Sequence, residues 1–421
     1  MNGKLWSLAT LWRNRSLRPE QLEALQLRKL RAVVEAVRRD VPFYRELYAE
    51  AGVEPGMPRT MEDLQRLPLV AKPQMRAAGG QNVVSERLAA QCKLTLRTSG
   101  TTGVPLAVPL SPGDARIRSL VDFRGLLSLG FRPWDRLVTV GPGQGRAPAP
   151  HERLGLFRAL VIRAEVHPEE QVRRLLRLRP DILWCYPAEL RVLLEKAGHP
   201  LRELKPRFLI VSSGVLEDQV RRMAEREWGC EIFVSYACME TGRIAIECKK
   251  HRGLHVNADH VLLEIRNGDR AAKAGETGEV ALTTLNQSAM PFIRYRLGDL
   301  TAWTGGACTC GNTFPLIQAP EGRVDEAPRF AGGERLSPTR FCFALRASDG
   351  IEQFQVIQET LGWIRVLIVP ERSWSRAEED GLRQRLLEGG PPGVRLDFEP
   401  VERIDATGRK FRSTISKLPA E

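Results

Sequence analysis

A chain of 421 residues, 43% of them hydrophobic, is long enough to bury more than one core, so two domains are expected. Charged residues make up 27% and both signs are spread along the chain, which excludes a disordered or fibrous protein. The net charge of +12 attracts acidic partners, but no run of five like charges occurs and aromatics are only 6%, so nothing marks a nucleic-acid stripe or stacking platform.

The first twenty residues, MNGKLWSLATLWRNRSLRPE, mix Trp and Leu with Arg and lack the unbroken apolar stretch of a signal peptide or membrane span. A cytoplasmic location without membrane contact is the expectation. Eight Cys without dense, regular spacing fit reduced thiols, some of them binding metal, better than disulfides.

From Pro19 to Glu50 apolar residues recur at helical spacing, which predicts one or two amphipathic helices closed by Val41-Pro42. Thr60, with Asp63 three residues on, reads as a helix cap, and that helix ends near Pro68. Between Asp135 and Ser213 the runs DRLVTV, FRALVIRAEV, DILWCY and FLIVSS alternate with helical patterns, which predicts α/β structure on a largely parallel sheet. After Gly229 the pattern changes to strands with glycine turns, Asn267-Gly268-Asp269 being one hairpin. The tail reads strand, strand, helix, strand, a small α+β domain. The predicted domains are 1–322 and 323–421.

The stretch LTLRTSGTTGVPLAV, Leu94 to Val108, sets hydroxyls and two tight-turning glycines between apolar runs. Thr and Ser hydroxyls beside exposed N–H groups can cradle phosphate oxygens, yet the pattern G-x-x-x-x-G-K-[S/T] is absent. Any phosphate chemistry therefore needs a metal and a lysine from elsewhere. A second constellation is Cys248, His251, His255, Cys308 and Cys310, whose sulfur and imidazole either supply four ligands of a closed tetrahedral Zn²⁺ site or are core thiols and solvated imidazoles. Cys92, Cys185, Cys230 and Cys342 lie in apolar runs and are expected in the core, and Cys238 is expected to pack.

Taken together, TSGTTGVP, SYACMETG, IRYRLGDL, GRVDE and TGRKFR resemble, in order, five segments of the adenylate-forming acyl-ligase superfamily. Within it, VPFYRELYAEAG, EDLQRLPLVAKPQMR, ECKKHRGLHV, PFIRYRLGDL and CTCGNTFPLI resemble the phenylacetate–coenzyme A ligase family. The resemblance implies a large N-terminal adenylate-forming domain of mixed sheets and helices with a small mobile α+β C-terminal domain.

It further implies that Thr98, Ser99, Gly100, Thr101, Thr102 and Gly103 wrap the β- and γ-phosphates of ATP, that Tyr236 and Ala237 lie against adenine and that Ser213 and Gly214 approach it through the backbone. Glu240 would hold Mg²⁺, Asp299 the ribose hydroxyls, and Arg323 would reach the nucleotide. Asp325 would be the hinge, Lys410 would enter the site for adenylation, and Tyr186, Pro187 and Met239 would adjoin the acid. The zinc ligands favoured by the resemblance are Cys248, His255, Cys308 and Cys310.

The implied reaction is ATP-dependent activation of an aryl or small organic acid to an acyl-adenylate, then transfer to coenzyme A. An acidic carrier protein's phosphopantetheine or an amine is the alternative acceptor, and a homodimer is kept open. One departure matters: Met239 stands where the family has Thr or Ser, and a thioether donates no hydrogen bond. With the abbreviated segment Gly141 to Leu156, it motivates the alternative of a degenerate nucleotide-binding homologue without turnover.

Overall fold

The computed structural model describes residues 8–97, 106–141, 149–197, 203–216, 218–324, 328–331, 345, 351–370, 374–387, 393–402, 404 and 414–418. The chain packs as two units.

The larger unit comprises residues up to Glu276 together with Val280–Leu297 and Ala302–Ala319. It opens with α1 (Leu8–Asn14) and α2 (Pro19–Asp40), whose apolar face Leu22, Leu30, Val33, Val34 and Val37 is buried. Pro42 disfavours helical geometry at Val41, which is extended (φ −123°, ψ 106°), and then itself opens α3 (Pro42–Glu50). The cap expected at Thr60 runs the other way. Asp63, inside a short 3₁₀ turn over Glu62–Arg66, accepts from the backbone N–H groups of Arg59 (2.8 Å) and Thr60 (3.1 Å). Helix α4 (Lys72–Ala78) follows, then the antiparallel pair β1 (Leu94–Arg97) and β2 (Ala107–Leu110), with Arg97 opposite Ala107 on either side of the TSGTTG motif. Residues 98–105 lie outside the described residues.

A Ser111–Asp114 capping box starts α5 (Pro112–Ser128). The expected alternation then appears as β3 (Arg136–Gly141), α6 (Pro150–Arg153), β4 (Arg158–Arg163), α7 (Pro168–Leu178), β5 (Ile182–Cys185), α8 (Pro187–Ala197) and β6 (Phe208–Ser212), and it runs on through α9 (Asp218–Trp228) and past Gly229, where hairpins were expected, to β7 (Glu231–Cys238). Strands β4, β3, β5, β6 and β7 are parallel neighbours in that order. All five residues of β6 are buried, the continuous apolar run of a sheet covered on both faces.

Beyond β7 the sheet turns antiparallel through β8 (Gly242–Glu247) and β9 (Leu254–Val256). The chain continues as β10 (Val261–Asn267) and β11 (Arg270–Ala271), a hairpin whose turn has Gly268 at φ +61°, then β12 (Gly278–Thr284) and β13 (Tyr295–Thr301). Strand β14 (Leu316–Ile317) completes the eight-stranded sheet on β9. A buried bidentate Arg124–Asp259 pair, both contacts 2.8 Å, is joined by Asn14 and Asn257 and ties α1 and α5 to the chain after β9.

The smaller unit comprises Thr277–Glu279, Gly298–Thr301 and Pro320–Glu421. Here the end of β13 pairs with β15 (Gly322–Arg323). Strands β16 (Ile351–Thr360) and β17 (Trp363–Pro370), helix α10 (Arg376–Leu387), β18 (Arg395–Pro400) and β19 (Thr414–Ser416) follow, in sheet order β18-β17-β16-β19. Phe354, Val356, Ile364, Val366, Leu382, Leu386 and Leu396 make a separate core. The fold is α/β with mixed sheets and a small α+β domain.

Cys185 and Cys230 are buried and Cys238 is partly buried against the core, as expected. Cys92 departs from expectation. It is half-buried, with its thiol donating to the Leu88 carbonyl at 3.3 Å, because it ends a surface 3₁₀ turn rather than lying within a strand. Cys342 lies outside the described residues.

Candidate active site and metal centre

Met239, Glu240 and Thr241 form the turn from β7 to β8. A bulge between Tyr236 and Ala237 sets Tyr236 opposite Ala245 and Ala237 opposite Arg243. Gly242 has φ +85°, and a Cβ there would lie 3.5 Å from Arg118 Cγ, so glycine gives the turn both its conformation and its close approach to α5. Arg118 donates through Nη1 to the Met239 carbonyl (2.9 Å) and through Nη2 to the Glu240 carbonyl and to Gln287 Oε1 (2.7 Å). The turn is thus fixed from α5.

Glu240 is 5% exposed, and a carboxylate removed from water needs partners. Its Oε1 accepts from the Tyr295 hydroxyl at 3.2 Å and lies 3.6 Å from Lys72 Nζ at the start of α4. Tyr236 is buried in the core, Ala237 is half-buried, and Met239 is 42% exposed. Lys72, Arg118 and Tyr295 were not singled out from sequence. Lys72 lies in the segment LPLVAKPQMR, whose spacing gives no sign that its ammonium meets Glu240.

Tyr186, Pro187, Ser213 and Gly214 come together at the carboxyl ends of β5 and β6, where open α/β sheets bind ligands. Ser213 is left-handed (φ 64°), and its side chain hydrogen-bonds Tyr186. Burial raises the Tyr186 pKa, and that bond partly offsets the rise. A Cβ on Gly214 would lie 3.3 Å from Pro187 Cγ and Cδ.

In the smaller unit Asp299 and Arg323 face each other across β13 and β15, with Arg323 Nη1 3.1 Å from Asp299 Oδ1. Gly298 has φ +81°, which favours glycine, and a Cβ there would lie 2.9 Å from Arg323 Nη2, so the guanidinium passes close over this backbone. Thr98, Ser99, Gly100, Thr101, Thr102, Gly103, Asp325 and Lys410 lie outside the described residues.

The thiols of Cys248, Cys308 and Cys310 and a ring nitrogen of His255 lie within 4.8 Å of one another. Cys248 Sγ is 3.6 Å from Cys308 Sγ, and Cys310 Sγ is 3.2 Å from His255 Nε2. His255 Nδ1 lies 3.1 Å from the Phe314 carbonyl; with the proton on Nδ1 donated there, the Nε2 lone pair faces the thiols. Burial lowers the His255 pKa, which favours the neutral ring a metal needs. Burial pushes the Cys248 thiol up to about 12. It also raises Cys308, but hydrogen bonds from the Cys310 N–H and the flanking thiols outweigh it, so the net shift there is downward. Three sulfurs and one imidazole converging in this way suit tetrahedral zinc. His251 stands apart from the cluster, bonded to Glu247 Oε1 at 2.8 Å and stacked on Phe233 at 5.2 Å.

The phenylacetate-coenzyme A ligase of Thermus thermophilus is 32% identical to this chain over 327 residues, covering 73% of this chain and 71% of that protein. The chain belongs to the phenylacetate–coenzyme A ligase family. The phenylacetate-coenzyme A ligase of Escherichia coli is 29% identical over 325 residues, covering 73% of this chain and 72% of that one. No family model matches the chain. Among solved structures, 2-hydroxyisobutyryl-CoA ligase in the postadenylation state with 2-HIB-AMP matches with a TM-score of 0.79 at 22% identity, over 96% of this chain and 91% of that one, a likeness of fold. Among the described residues of this family member, no helix is long and apolar enough to cross a membrane.

Proposed function

We propose that this chain is a cytoplasmic AMP-forming acid–thiol ligase: a carboxylate attacks the α-phosphate of ATP, giving acyl-AMP and pyrophosphate, and the thiol of coenzyme A then takes the acyl group. A carboxylate is a poor acyl donor, and AMP is a good leaving group. A phosphopantetheine on an acidic carrier protein or an amine is the alternative acceptor. The observation that carries the reading is the buried Glu240, clamped beside a lysine and a tyrosine in a family whose named members are acid–coenzyme A ligases.

In this reading Glu240 takes Mg²⁺, which neutralises charge gathering on the phosphates. Thr98, Ser99, Gly100, Thr101, Thr102 and Gly103 hold phosphate, Tyr236, Ala237, Ser213 and Gly214 adjoin adenine, and Asp299 meets the ribose hydroxyls with Arg323 alongside. Lys410 supplies an ammonium during adenylation, and Asp325 is the pivot of a C-terminal domain, 323–421, that moves against the large domain, 1–322. Tyr186, Pro187 and Met239 border the acid. Cys248, His255, Cys308 and Cys310 hold a structural Zn²⁺, with no open coordination position for catalysis.

The test is carboxylate-dependent exchange between ATP and pyrophosphate over aryl and alkyl acids. Exchange with at least one acid, lost in Lys410→Ala, is the expected result. ATP binding by calorimetry with no exchange for any acid would overturn turnover. The degenerate homologue, which Met239 favours, would then stand in its place.

A further inference from the structure

Behind the Glu240 turn, β8 buries a second arginine. Arg243 is 2% exposed, its Nε donates to Asp122 Oδ1 at 3.0 Å, and its guanidinium carbon lies 5.0 Å from the Trp184 ring centre. Nη1 and Nη2 are buried and, among the described residues, have no hydrogen-bond partner. Buried donors are nearly always satisfied, so a fork with two unmet nitrogens calls for an acceptor that the described residues do not supply.

Helix α5 makes the room. A Cβ on Gly125 would lie 2.9 Å from Arg243 Nη1, and glycine inside a helix costs stability, so its place here is set by the arginine. Arg118, Asp122 and Gly125 fall at i, i+4 and i+7, one stripe of α5. Arg118 grips the carbonyls of Met239 and Glu240, while Asp122 and Gly125 seat Arg243. Trp184, two residues before Tyr186, donates to Ser212 Oγ at 2.8 Å, one residue before Ser213. The guanidinium therefore stacks on Trp184, a chain neighbour of the residues proposed to border the acid at the carboxyl ends of β5 and β6, and itself lies just after the Glu240 turn.

We propose that Arg243 Nη1 and Nη2 bind an oxygen at the far end of the acid, so that the substrate class is carboxylic acids carrying a hydroxyl or carbonyl oxygen away from the reacting carboxylate. The proposal rests on the ligase reading. Asp122 balances the guanidinium charge, so a neutral acceptor completes the site, whereas a second carboxylate would face Asp122. A site built to hydrogen-bond an oxygen rejects the analogue lacking it, because its donors are then left unpaired.

The experiment compares 4-hydroxyphenylacetate with phenylacetate, and 6-hydroxyhexanoate with hexanoate and adipate. Acid binding is read by calorimetry without ATP, and kcat/KM by pyrophosphate exchange. The expected result is a preference of at least about tenfold for the hydroxylated member of one pair, falling to about one in Arg243→Met with the KM for ATP unchanged. Gly125→Ala, which favours the helix while crowding Nη1, shrinks the same preference and serves where Arg243→Met does not fold.

A wild-type preference of one or less in both pairs, adipate favoured over 6-hydroxyhexanoate, equal losses for both members of a pair in the variants, or no acid binding at all would overturn the proposal. Silent exchange with the calorimetric pattern intact would overturn the ligase reading and leave the Arg243 site standing.

Discussion

The Cys248–His255–Cys308–Cys310 cluster and the Glu240 turn are built on opposite plans. In the cluster, four short side chains converge on one another, so the chemistry resides in the residue types themselves. At the turn, one carboxylate depends on long side chains from α4, α5 and β13, none of which announces its role by type or spacing. A site whose ligands meet directly is legible in composition, and a site held from afar is not. The two also differ in what they support. The cluster ties β8 and β9 to the chain before β14, which suits the proposed structural role, whereas the role proposed for Glu240 is chemical.

The largest effect is expected from metal removal. Purified protein is expected to carry about one zinc per chain, and chelation or Cys310→Ser to lower the melting temperature by more than about 10 °C, since structural zinc contributes folding energy directly. Metal content by mass spectrometry and thermal unfolding check this, and a metal-free protein of unchanged melting temperature would refute a structural zinc. Next comes Glu240→Gln, expected to reduce pyrophosphate exchange roughly 100- to 1,000-fold, as losing one charge-stabilising group does, with little change in melting temperature. A variant that unfolds instead would make Glu240 a structural residue like the cluster.

Lys72→Met is expected to cost about tenfold in kcat/KM for ATP, roughly 1.4 kcal/mol, because in the proposed site the ammonium beside Glu240 would add positive charge near the phosphates. Unchanged kinetics would make the 3.6 Å pair incidental. The smallest effect is expected for His251→Asn, which removes the bond to Glu247 and the stack on Phe233, lowers the melting temperature by a few degrees and leaves zinc content unchanged. A loss of zinc there would return His251 to the ligand set.

Legibility followed the range of the forces involved. The α2–α3 break at Val41-Pro42, the alternation from β3 to β6, and the β10–β11 turn are local consequences of proline geometry, periodicity and glycine, and were readable, whereas β7, expected among the hairpins after Gly229, pairs parallel to β6 instead. The reversed cap at Thr60 was not, because either member of a Thr–Asp pair can accept and the preceding backbone decides. Strand β19, three residues long, carries too little pattern to be seen alone and exists by pairing with β16. Cys92 was expected in the core, but Gln91 and Lys93 flank it and packing left it at a surface turn.

By itself the sequence determined the order of the longer elements, the family, and the set of thiols and imidazoles from which a zinc site would be drawn, because periodicity, turn chemistry and ligand type are properties of short segments. It also named Glu240, Asp299 and Arg323 as residues to watch. Only the tertiary structure set His255 among the thiols and His251 apart from them, brought Lys72 and Tyr295 to Glu240, set Arg323 against Asp299, and buried Arg243 in the space left by Gly125 with two donors unmet among the described residues. Each of these last relations joins residues far apart in the chain or on separate elements. Which atoms fill a hydrogen bond is settled by the packing of whole elements.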